Sequence, residues 1–240
     1  MKLEKFSADT RGFANHGWLQ ASHSFSFANF YNPERMNFGA LRVLNDDIIA
    51  PGTGFGKHPH QNMEIITIPL SGKLKHKDSM SNEWLFVEPN EVQVMSAGTG
   101  IYHSEMNGST DDYLSLFQIW IIPDKMGVTP RYNQATFNPE DRKNKLQVLV
   151  SSLDDASESG LKIHQNAKLS RVDLDEDSSF RYDLKSDKNG VYVMNISGEV
   201  TVDDTSFGQR DALGISNTSN FNIKSNSKSE LLLIEIPMIN

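Results

Sequence analysis

Hydrophobic residues recur along the chain in short runs that are separated by turn residues. From Phe38 onward these runs are rich in Val, Ile, Leu and aromatic residues, and Gly, Pro, Asn, Asp and Ser interrupt them at intervals typical of a β-sandwich or β-barrel. The pattern therefore predicts a mostly β protein. The predicted strands of the first half are 40–44, 63–70, 73–77, 84–87, 92–96 and 113–122.

A polar stretch follows Pro123 and divides the chain. It contains Pro130, Pro139 and a charge cluster at 140–145, which together predict a linker. Residues 154–160 are predicted to form an exposed loop because of their composition. The predicted strands of the second half are 146–151, 191–196, 199–202 and 231–236.

The two series of strands resemble each other. Segment 68–78 is similar to segment 193–204, with a Ser-Gly turn at the corresponding place, and segment 117–123 is similar to segment 231–237. Both ends of the unit recur in the same order, so we interpret the chain as two copies of one β unit. A chain of 240 residues is long enough for two domains of roughly 100 residues each.

The composition excludes several classes of site and partner. The absence of cysteine excludes disulfides, thiolate nucleophiles, iron–sulfur clusters and cysteine-bound zinc, so any metal must take nitrogen and oxygen ligands. A net charge of −8 disfavours direct binding to nucleic acid or to an anionic membrane. The sequence contains neither an apolar run of about 18 residues nor a secretory signal, and we expect a cytoplasmic protein.

Two matched pairs of possible metal ligands are the main chemical signal. His58 and His60 are two residues apart near a predicted strand, and side chains at this spacing point to the same face. His103 and Glu105 repeat the spacing after a glycine-rich turn at 98–100. A single histidine in a strand is more often structural, but two matched pairs in one chain favour a metal site formed by all four residues.

Other ionisable residues leave alternatives open. Glu64 is predicted to lie on the same face as the histidines, where it could replace or join Glu105 as a ligand. His76 is predicted to lie behind the ligands or in the pocket wall. The remaining histidines are interpreted as surface or structural residues: His16, His23 and His164.

Only the first copy of the β unit is predicted to bind a metal. Six of the seven histidines lie within the first 103 residues. When the copies are aligned on their Ser-Gly turns, Leu184 and Ser186 take the positions of His58 and His60, and both are poor ligands for a transition metal. The second copy is therefore predicted to act as scaffold, lid or interface.

Three imidazoles and one carboxylate suit a divalent transition metal. Iron(II) is the predicted metal, with manganese, nickel, copper and zinc as alternatives, whereas calcium and magnesium prefer oxygen ligands. Four protein ligands around an ion that takes six leave two positions open for a substrate and dioxygen. An open site favours catalysis or sensing over a purely structural role.

These residues lie within motifs that resemble the pirin family of the cupin superfamily. The resemblance is dense over the first 135 residues, and the remainder is similar mainly in its place and its β pattern. The pirin-like motifs are 15–19, 23–30, 39–47, 54–60, 64–67, 95–105, 118–121 and 129–132.

The resemblance implies a particular all-β fold. A pirin is a bicupin, in which two facing β-barrels, each a double-stranded β-helix, are joined by short linking helices. The implied domains are an N-terminal metal-binding cupin barrel at 1–135 and a C-terminal cupin barrel without metal ligands at 136–240.

The resemblance also implies a ligand set. The metal ligands of pirins match His58, His60, His103 and Glu105, whereas most other cupins use the carboxylate that corresponds to Glu64. The family pattern therefore favours Glu105 as the fourth ligand and as the predicted catalytic carboxylate.

An oxidoreductase is the function that the resemblance implies. Some pirins are quercetin 2,3-dioxygenases, which open a flavonol with dioxygen and release carbon monoxide. In this chain the metal would acidify the flavonol hydroxyl, and Glu105 or Glu64 would take its proton. Phe55, Met63 and Trp120 are candidates for apolar pocket walls, although a core position is the favoured interpretation for all three.

Two other functions stay open on the sequence alone. Some pirins are redox-responsive regulators that interact with a transcription factor or a metabolic enzyme, and the same metal site would serve that role. The third hypothesis is a non-oxidative cupin, either an isomerase or a binding module, in which the metal only binds a ligand. For the enzyme we expect a small aromatic substrate and O2 as partners, a possible protein partner, and a monomeric chain.

Overall fold

The computed structural model describes residues 1–81 and 83–238, and this part of the chain is almost entirely β. The strands up to the polar stretch and within it are β1 (Lys2–Phe6), β2 (Gly12–Asn15), β3 (Leu19–His23), β4 (Leu41–Ile49), β5 (Gly54–His60), β6 (Glu64–Ser71), β7 (Leu74–Asp78), β8 (Leu85–Val87), β9 (Glu91–Ser96), β10 (Ile101–Asn107), β11 (Leu114–Ile121) and β12 (Arg131–Thr136). The strands after it are β13 (Gln147–Ser152), β14 (Leu161–Ile163), β15 (Lys168–Leu174), β16 (Ser179–Asp183), β17 (Asn189–Ser197), β18 (Val200–Val202), β19 (Thr205–Phe207), β20 (Ala212–Ser216), β21 (Asn220–Ser225) and β22 (Ser229–Pro237). Short 3₁₀ turns form at Ala8–Thr10 and Pro139–Arg142.

Each half of the described chain is an open sandwich of one large and one small sheet. The first half has a seven-stranded sheet with the order β12-β9-β6-β11-β4-β3-β2 and a four-stranded sheet with the order β5-β10-β7-β8. The second half has the orders β1-β20-β17-β22-β15-β13-β14 and β16-β21-β18-β19. Corresponding strands of the two copies take the same positions, which confirms the predicted internal repeat.

One edge strand of each large sheet comes from a segment that was not predicted to be a strand. Residues 2–6 form β1, which pairs with β20 and so completes the large sheet of the second half. The corresponding edge in the first half is β12, which pairs with β9. The predicted linker is therefore wrong for residues 131–136, because their polar composition reflects an edge strand and not an irregular segment. The predicted boundary after residue 135 stays a prediction.

The two large sheets pack against each other through apolar faces. The largest cluster of buried apolar side chains combines both halves, for example Leu41 and Ile119 with Leu149 and Tyr192. A separate cluster fills the space between the large and the small sheet of the second half, around Tyr182. The corresponding space in the first half holds two smaller apolar clusters, and polar residues lie between them. The polar residues of the site lie in this space.

The prediction of an all-β protein is confirmed, since every predicted strand overlaps an observed one. The exposed loop predicted at 154–160 is present between β13 and β14. The linking helices are only short 3₁₀ turns in the described residues, and the predicted barrels are open sandwiches. In the same residues, no helix is long and apolar enough to span a lipid bilayer.

Candidate metal centre

Three histidines meet on one face of the small sheet of the first half. His58 and His60 lie on β5, and His103 lies directly opposite His58 on the antiparallel neighbour β10. Side chains that are opposite each other, or two apart, share a face. The ring centroid of His103 is 4.3 Å from that of His58 and 4.7 Å from that of His60. One possible ligand atom from each histidine lies within 4.8 Å of the others.

Glu105 is connected to this group through His103. Glu105, His103 and His76 form a second group whose ligand atoms lie within 4.8 Å of one another. A register shift separates the two ligand pairs, because His103 is opposite His58 whereas Glu105 is opposite Phe55, which gives β5 one extra residue. The four predicted ligands thus lie in two groups that share His103. Metal binding by all four stays a prediction.

Two polar side chains hold the carboxylate of Glu105. Gln118 donates from Nε2 to one carboxylate oxygen at 2.8 Å, and the Thr67 hydroxyl lies 3.3 Å from the other. Both partners belong to the large sheet, so the carboxylate connects the two sheets. Burial raises the pKa of Glu105 to about 7, and the two hydrogen bonds act in the opposite direction.

Burial favours the neutral imidazole at His60 and His103. It lowers the pKa of His60 to about 4 and the pKa of His103 further still, and the neighbouring His58 adds to both shifts. Neither ring nitrogen of His103 has a hydrogen-bond partner among residues 1–81 and 83–238. A divalent cation would satisfy such a nitrogen, because metals bind the neutral imidazole. The donor set therefore fits a transition metal.

Glycines shape the turn that leads into β10. Gly98 has a φ of 47° and Gly100 a φ of 132°, in a region of backbone conformation that favours glycine. A Cβ atom on Gly98 would also collide with the carbonyl oxygen of Val128. These observations confirm the predicted tight turn before His103.

His76 lies behind His103, with ring centroids 5.4 Å apart. Its Nε2 is 3.2 Å from the Asp78 carboxylate, and Gln93 Nε2 approaches its Nδ1 at 3.3 Å. Both nitrogens are engaged when Nε2 carries the hydrogen. The ring also stacks on Tyr132 at a centroid distance of 5.1 Å. Its predicted place behind the ligands agrees with these contacts, and its role there stays a prediction.

The prediction that Glu64 shares the face of the histidines is wrong. The strand that carries His60 ends at that residue, the chain turns at Asn62 with a φ of 50°, and Glu64 begins β6 in the other sheet. Ser96 donates from Oγ to the Glu64 carboxylate at 2.7 Å. Thr67, three positions further along β6, contacts Glu105, so Glu64 points to the opposite side of the strand. Glu105 is left as the carboxylate beside the histidines.

A cavity of about 420 Å³ lies beside the group of histidines, and His58, His60 and Glu105 form part of its wall. Four of the other twelve lining residues carry a Phe or Trp ring. The aromatic lining residues are Trp18, Phe27, Phe55 and Trp120. Among the three predicted candidates, Phe55 and Trp120 line the cavity, whereas Met63 packs with the core around Ile65.

Sequence reasoning missed several polar residues of the cavity wall. His23 is buried, and its Nδ1 lies 2.9 Å from the Asn45 side-chain oxygen, so it is structural and also lines the cavity. Asp47 and Gln118 line the same wall. Asn45 and Asp47 are two apart on a strand that is otherwise largely buried and apolar. This polar spacing within a strand was the available sequence signal.

The corresponding place in the second half is apolar. Tyr182 on β16 pairs with Phe221 on β21, and Phe180 pairs with Ile223. The rings of Tyr182 and Phe221 stack at a centroid distance of 5.4 Å. Both groups of possible metal ligands found in the described chain lie in the first half.

Replacing Gly54 by alanine is expected to disturb the contact between β5 and β10. A Cβ atom there would collide with the carbonyl oxygen of Glu105, and backbone cannot yield by rotating a side chain. Overpacking of this kind costs about 1–3 kcal/mol in stability. Gly56, two residues along the same strand, has no described atom within 4 Å of such a Cβ, so Gly56→Ala serves as the matched control. Denaturant unfolding of both variants checks the prediction, and equal stabilities would contradict it.

The chain is similar to known proteins over almost its whole length. Residues 6–121 match the family described as Pirin, and residues 149–236 match the one described as quercetinase C-terminal cupin domain. A quercetin 2,3-dioxygenase of Escherichia coli is 44% identical over 232 residues, which cover 97% of this chain and 97% of the relative. A pirin-like protein of Caulobacter vibrioides is 40% identical over 233 residues, which cover 97% of this chain and 99% of the relative.

A solved structure shares the fold. The crystal structure of the bacterial pirin YhhW from Escherichia coli, in complex with nickel(II), superposes with a TM-score of 0.92 at 41% sequence identity. The match covers 99% of this chain and 100% of that chain. Together with the C-terminal cupin match, it confirms the predicted two-domain cupin fold.

Proposed function

Because the chain belongs to the pirin family, we propose that it is a metal-dependent dioxygenase that opens quercetin or a similar enolisable aromatic molecule with O2. The proposal depends on one observation above all, the group of three histidines beside a cavity of about 420 Å³ that has Phe and Trp rings in its wall. Such a volume suits a small aromatic ligand. A relative named quercetin 2,3-dioxygenase supports the reaction type.

One divalent transition metal would be held by His58, His60, His103 and Glu105. The nickel in the related pirin structure supports this class of metal, and we propose iron(II) as the metal of this chain. When bound, the metal supplies a Lewis acid that lowers the pKa of a coordinated hydroxyl. His76 would stay outside the ligand set, because both of its ring nitrogens have other partners.

Glu105 would take the proton of the substrate hydroxyl on a carboxylate oxygen. Gln118 and Thr67 restrict the positions of the two oxygens through their hydrogen bonds. The proton acceptor is therefore oriented before the substrate arrives.

The aromatic walls would hold the flat ring system and keep water away from it. Trp18 and Phe55 meet edge to face at a centroid distance of 5.1 Å, and Phe27 and Trp120 do so at 5.4 Å. The edge-to-face contact within each pair stabilises the orientation of its two rings, because contacts of this kind are favourable. The walls thus offer preformed apolar surfaces to a planar ligand.

The test loads the protein with iron(II) or nickel(II) under anaerobic conditions, adds quercetin and then admits air. We expect the flavonol absorbance to disappear with one carbon monoxide released per flavonol consumed. Metal-free protein is the control and should leave the absorbance unchanged. Loading with each metal in parallel tests the choice of iron.

The alternative function is a redox-sensing regulator that uses the same metal. A metal-loaded protein that leaves quercetin intact, together with binding of a protein partner that depends on the oxidation state of the metal, would favour the regulator. Failure of the protein to bind any divalent metal would contradict both functions.

A further inference from the structure

One carboxyl group in the cavity wall is left without a partner by the protein. Asp47 lies on β4 and lines the cavity, although only 4% of its surface is exposed. Its Oδ1 atom has no hydrogen-bond partner within residues 1–81 and 83–238. Its neighbours across the sheet are Ala21 on β3 and Leu116 on β11, whose side chains cannot donate a hydrogen bond. A buried polar group in this state is unfavourable for stability.

The adjacent carboxylate shows that the fold can neutralise an acidic residue in this region. Asp46 points to the other side of β4, where its Oδ2 is 3.3 Å from Arg11 and 3.0 Å from Arg210. Asp47 has no such ion pair in the described chain. The unpartnered carboxyl is thus a feature of the cavity side of the strand.

Two other polar residues of this wall are already paired with each other. His23 and Asn45 are opposite on β3 and β4, and they share a contact of 2.9 Å between Nδ1 and Oδ1. Leu19 and Ala21 precede His23 on the buried face of β3, and both are apolar. Asp47 therefore offers a hydrogen-bonding atom that no described protein group occupies, beside apolar side chains of β3, and a placed polar group of this kind can fix a ligand's orientation.

We infer, on the basis of the proposed function, that Asp47 is a second anchoring point for the substrate, where it hydrogen-bonds a hydroxyl on a ring remote from the reacting oxygens. β4 belongs to the large sheet and β5 to the small one, so Asp47 and His58 stand on different walls of the same cavity. A flat ligand whose reacting oxygens face the histidines would turn a more distant ring toward Asp47. A hydroxyl on that ring would give the carboxyl the hydrogen bond that it lacks.

The protonation state of Asp47 agrees with a hydroxyl partner. Burial, together with the charges of Asp46 and Glu105, raises the pKa of Asp47 to about 8. At neutral pH the carboxyl then carries a proton for most of the time and offers both a donor and an acceptor. A ring hydroxyl also has one donor and can accept, so it can pair with either the O–H or the carbonyl oxygen of the Asp47 carboxyl group.

The test compares two flavonols in the metal-loaded protein without oxygen. Quercetin and 3-hydroxyflavone share the 3-hydroxyl and the 4-carbonyl, but the second lacks the other ring hydroxyls. Their dissociation constants are measured from the quenching of tryptophan fluorescence, which Trp18 and Trp120 in the wall make sensitive to binding. We expect Asp47→Leu to shift the affinity ratio of the two ligands by about tenfold against quercetin, since one hydrogen bond from a buried group is lost.

Two further variants separate this effect from a general disturbance. Asp183→Ala removes an exposed carboxylate in the other half of the chain, outside the cavity wall, and it should leave the affinity ratio unchanged. Asp47→Leu should keep or raise the melting temperature, because it removes a buried unpartnered group. Should Asp47→Leu fail to fold, Asp47→Ala removes the same hydrogen-bonding atoms and should shift the ratio in the same direction.

An unchanged affinity ratio in Asp47→Leu or Asp47→Ala would overturn the inference, even if the protein turns over quercetin. In that case water in the cavity solvates the carboxyl and the proposed function stands. Binding of neither flavonol by the metal-loaded protein would overturn the proposed function and this inference together.

Discussion

His103→Ala is expected to reduce the divalent metal retained after dialysis by at least tenfold, as loss of a ligand should. His103 belongs to both groups of possible ligands, and its ring lies within 5 Å of two other imidazole centroids, at 4.3 Å and 4.7 Å. It is also buried, so solvent cannot supply a replacement at the same place without rearrangement. Metal per chain, measured by elemental analysis, checks this result, and the dioxygenase activity should fall in parallel.

The control for this variant is His16→Ala. His16 is exposed and lies outside both groups of possible ligands, so its replacement should leave the metal content unchanged. The melting temperature provides a second measurement, because a ligand that binds only the folded state stabilises it. Added metal should raise the melting temperature of the native protein and of His16→Ala, but hardly that of His103→Ala. Undiminished metal in His103→Ala would count against the site.

Glu235→Ala is expected to lower the free energy of unfolding by about 3–5 kcal/mol, the range found when one member of a buried charged network is removed. Glu235 on β22 is 1% exposed. Its carboxylate accepts hydrogen bonds from the Tyr182 hydroxyl, the Lys185 backbone N–H and the Asn189 side chain, each at 2.8 Å. The Lys168 ammonium lies 3.8 Å away and is itself largely buried. Alanine would leave all of these groups without this acceptor.

Denaturant unfolding measures this effect, and Asp183→Ala is the control. Asp183 pairs with Arg181 at the surface, where both side chains are mostly exposed, so its removal should cost less than about 1 kcal/mol. Folded Glu235→Ala should retain its metal, because the candidate ligands lie in the other half. An unfolding free energy for Glu235→Ala equal to that of Asp183→Ala would show that the buried network contributes little.

Local patterns in the sequence were sufficient for the β class and for the pairs of candidate ligands. The spacing of two between His58 and His60, and between His103 and Glu105, places each pair on one face of a strand whatever its partners are. The Ser-Gly turns of the repeat are equally local, since Gly72 and Gly198 have φ values of 80° and 85° in corresponding hairpins. These features depend on a few consecutive residues.

The sequence-based predictions were wrong or incomplete where the outcome depended on where a strand ends or on which strand it pairs with. Glu64 looked like a continuation of the strand with His60, but the turn at Asn62 moved it to another sheet and to the opposite face. Residues 131–136 looked like a linker, since an edge strand buries little and needs no apolar alternation. Asp47 was overlooked because its spacing of two from Asn45 indicates a shared face of the strand but does not reveal that this face borders a cavity.

By itself the sequence determined the class of fold, the duplication of the β unit and the residue types available for a metal, because periodicity and turn chemistry act over a few residues. The family resemblance favoured Glu105 over Glu64, and the tertiary structure supplied the physical reason, because the two carboxylates lie on different sheets. The tertiary structure alone decided which carboxyl group faces the cavity without a partner. It also decided that β1 completes the sheet of the other half. These outcomes depend on register and sheet packing between residues far apart in the chain, which no local pattern encodes.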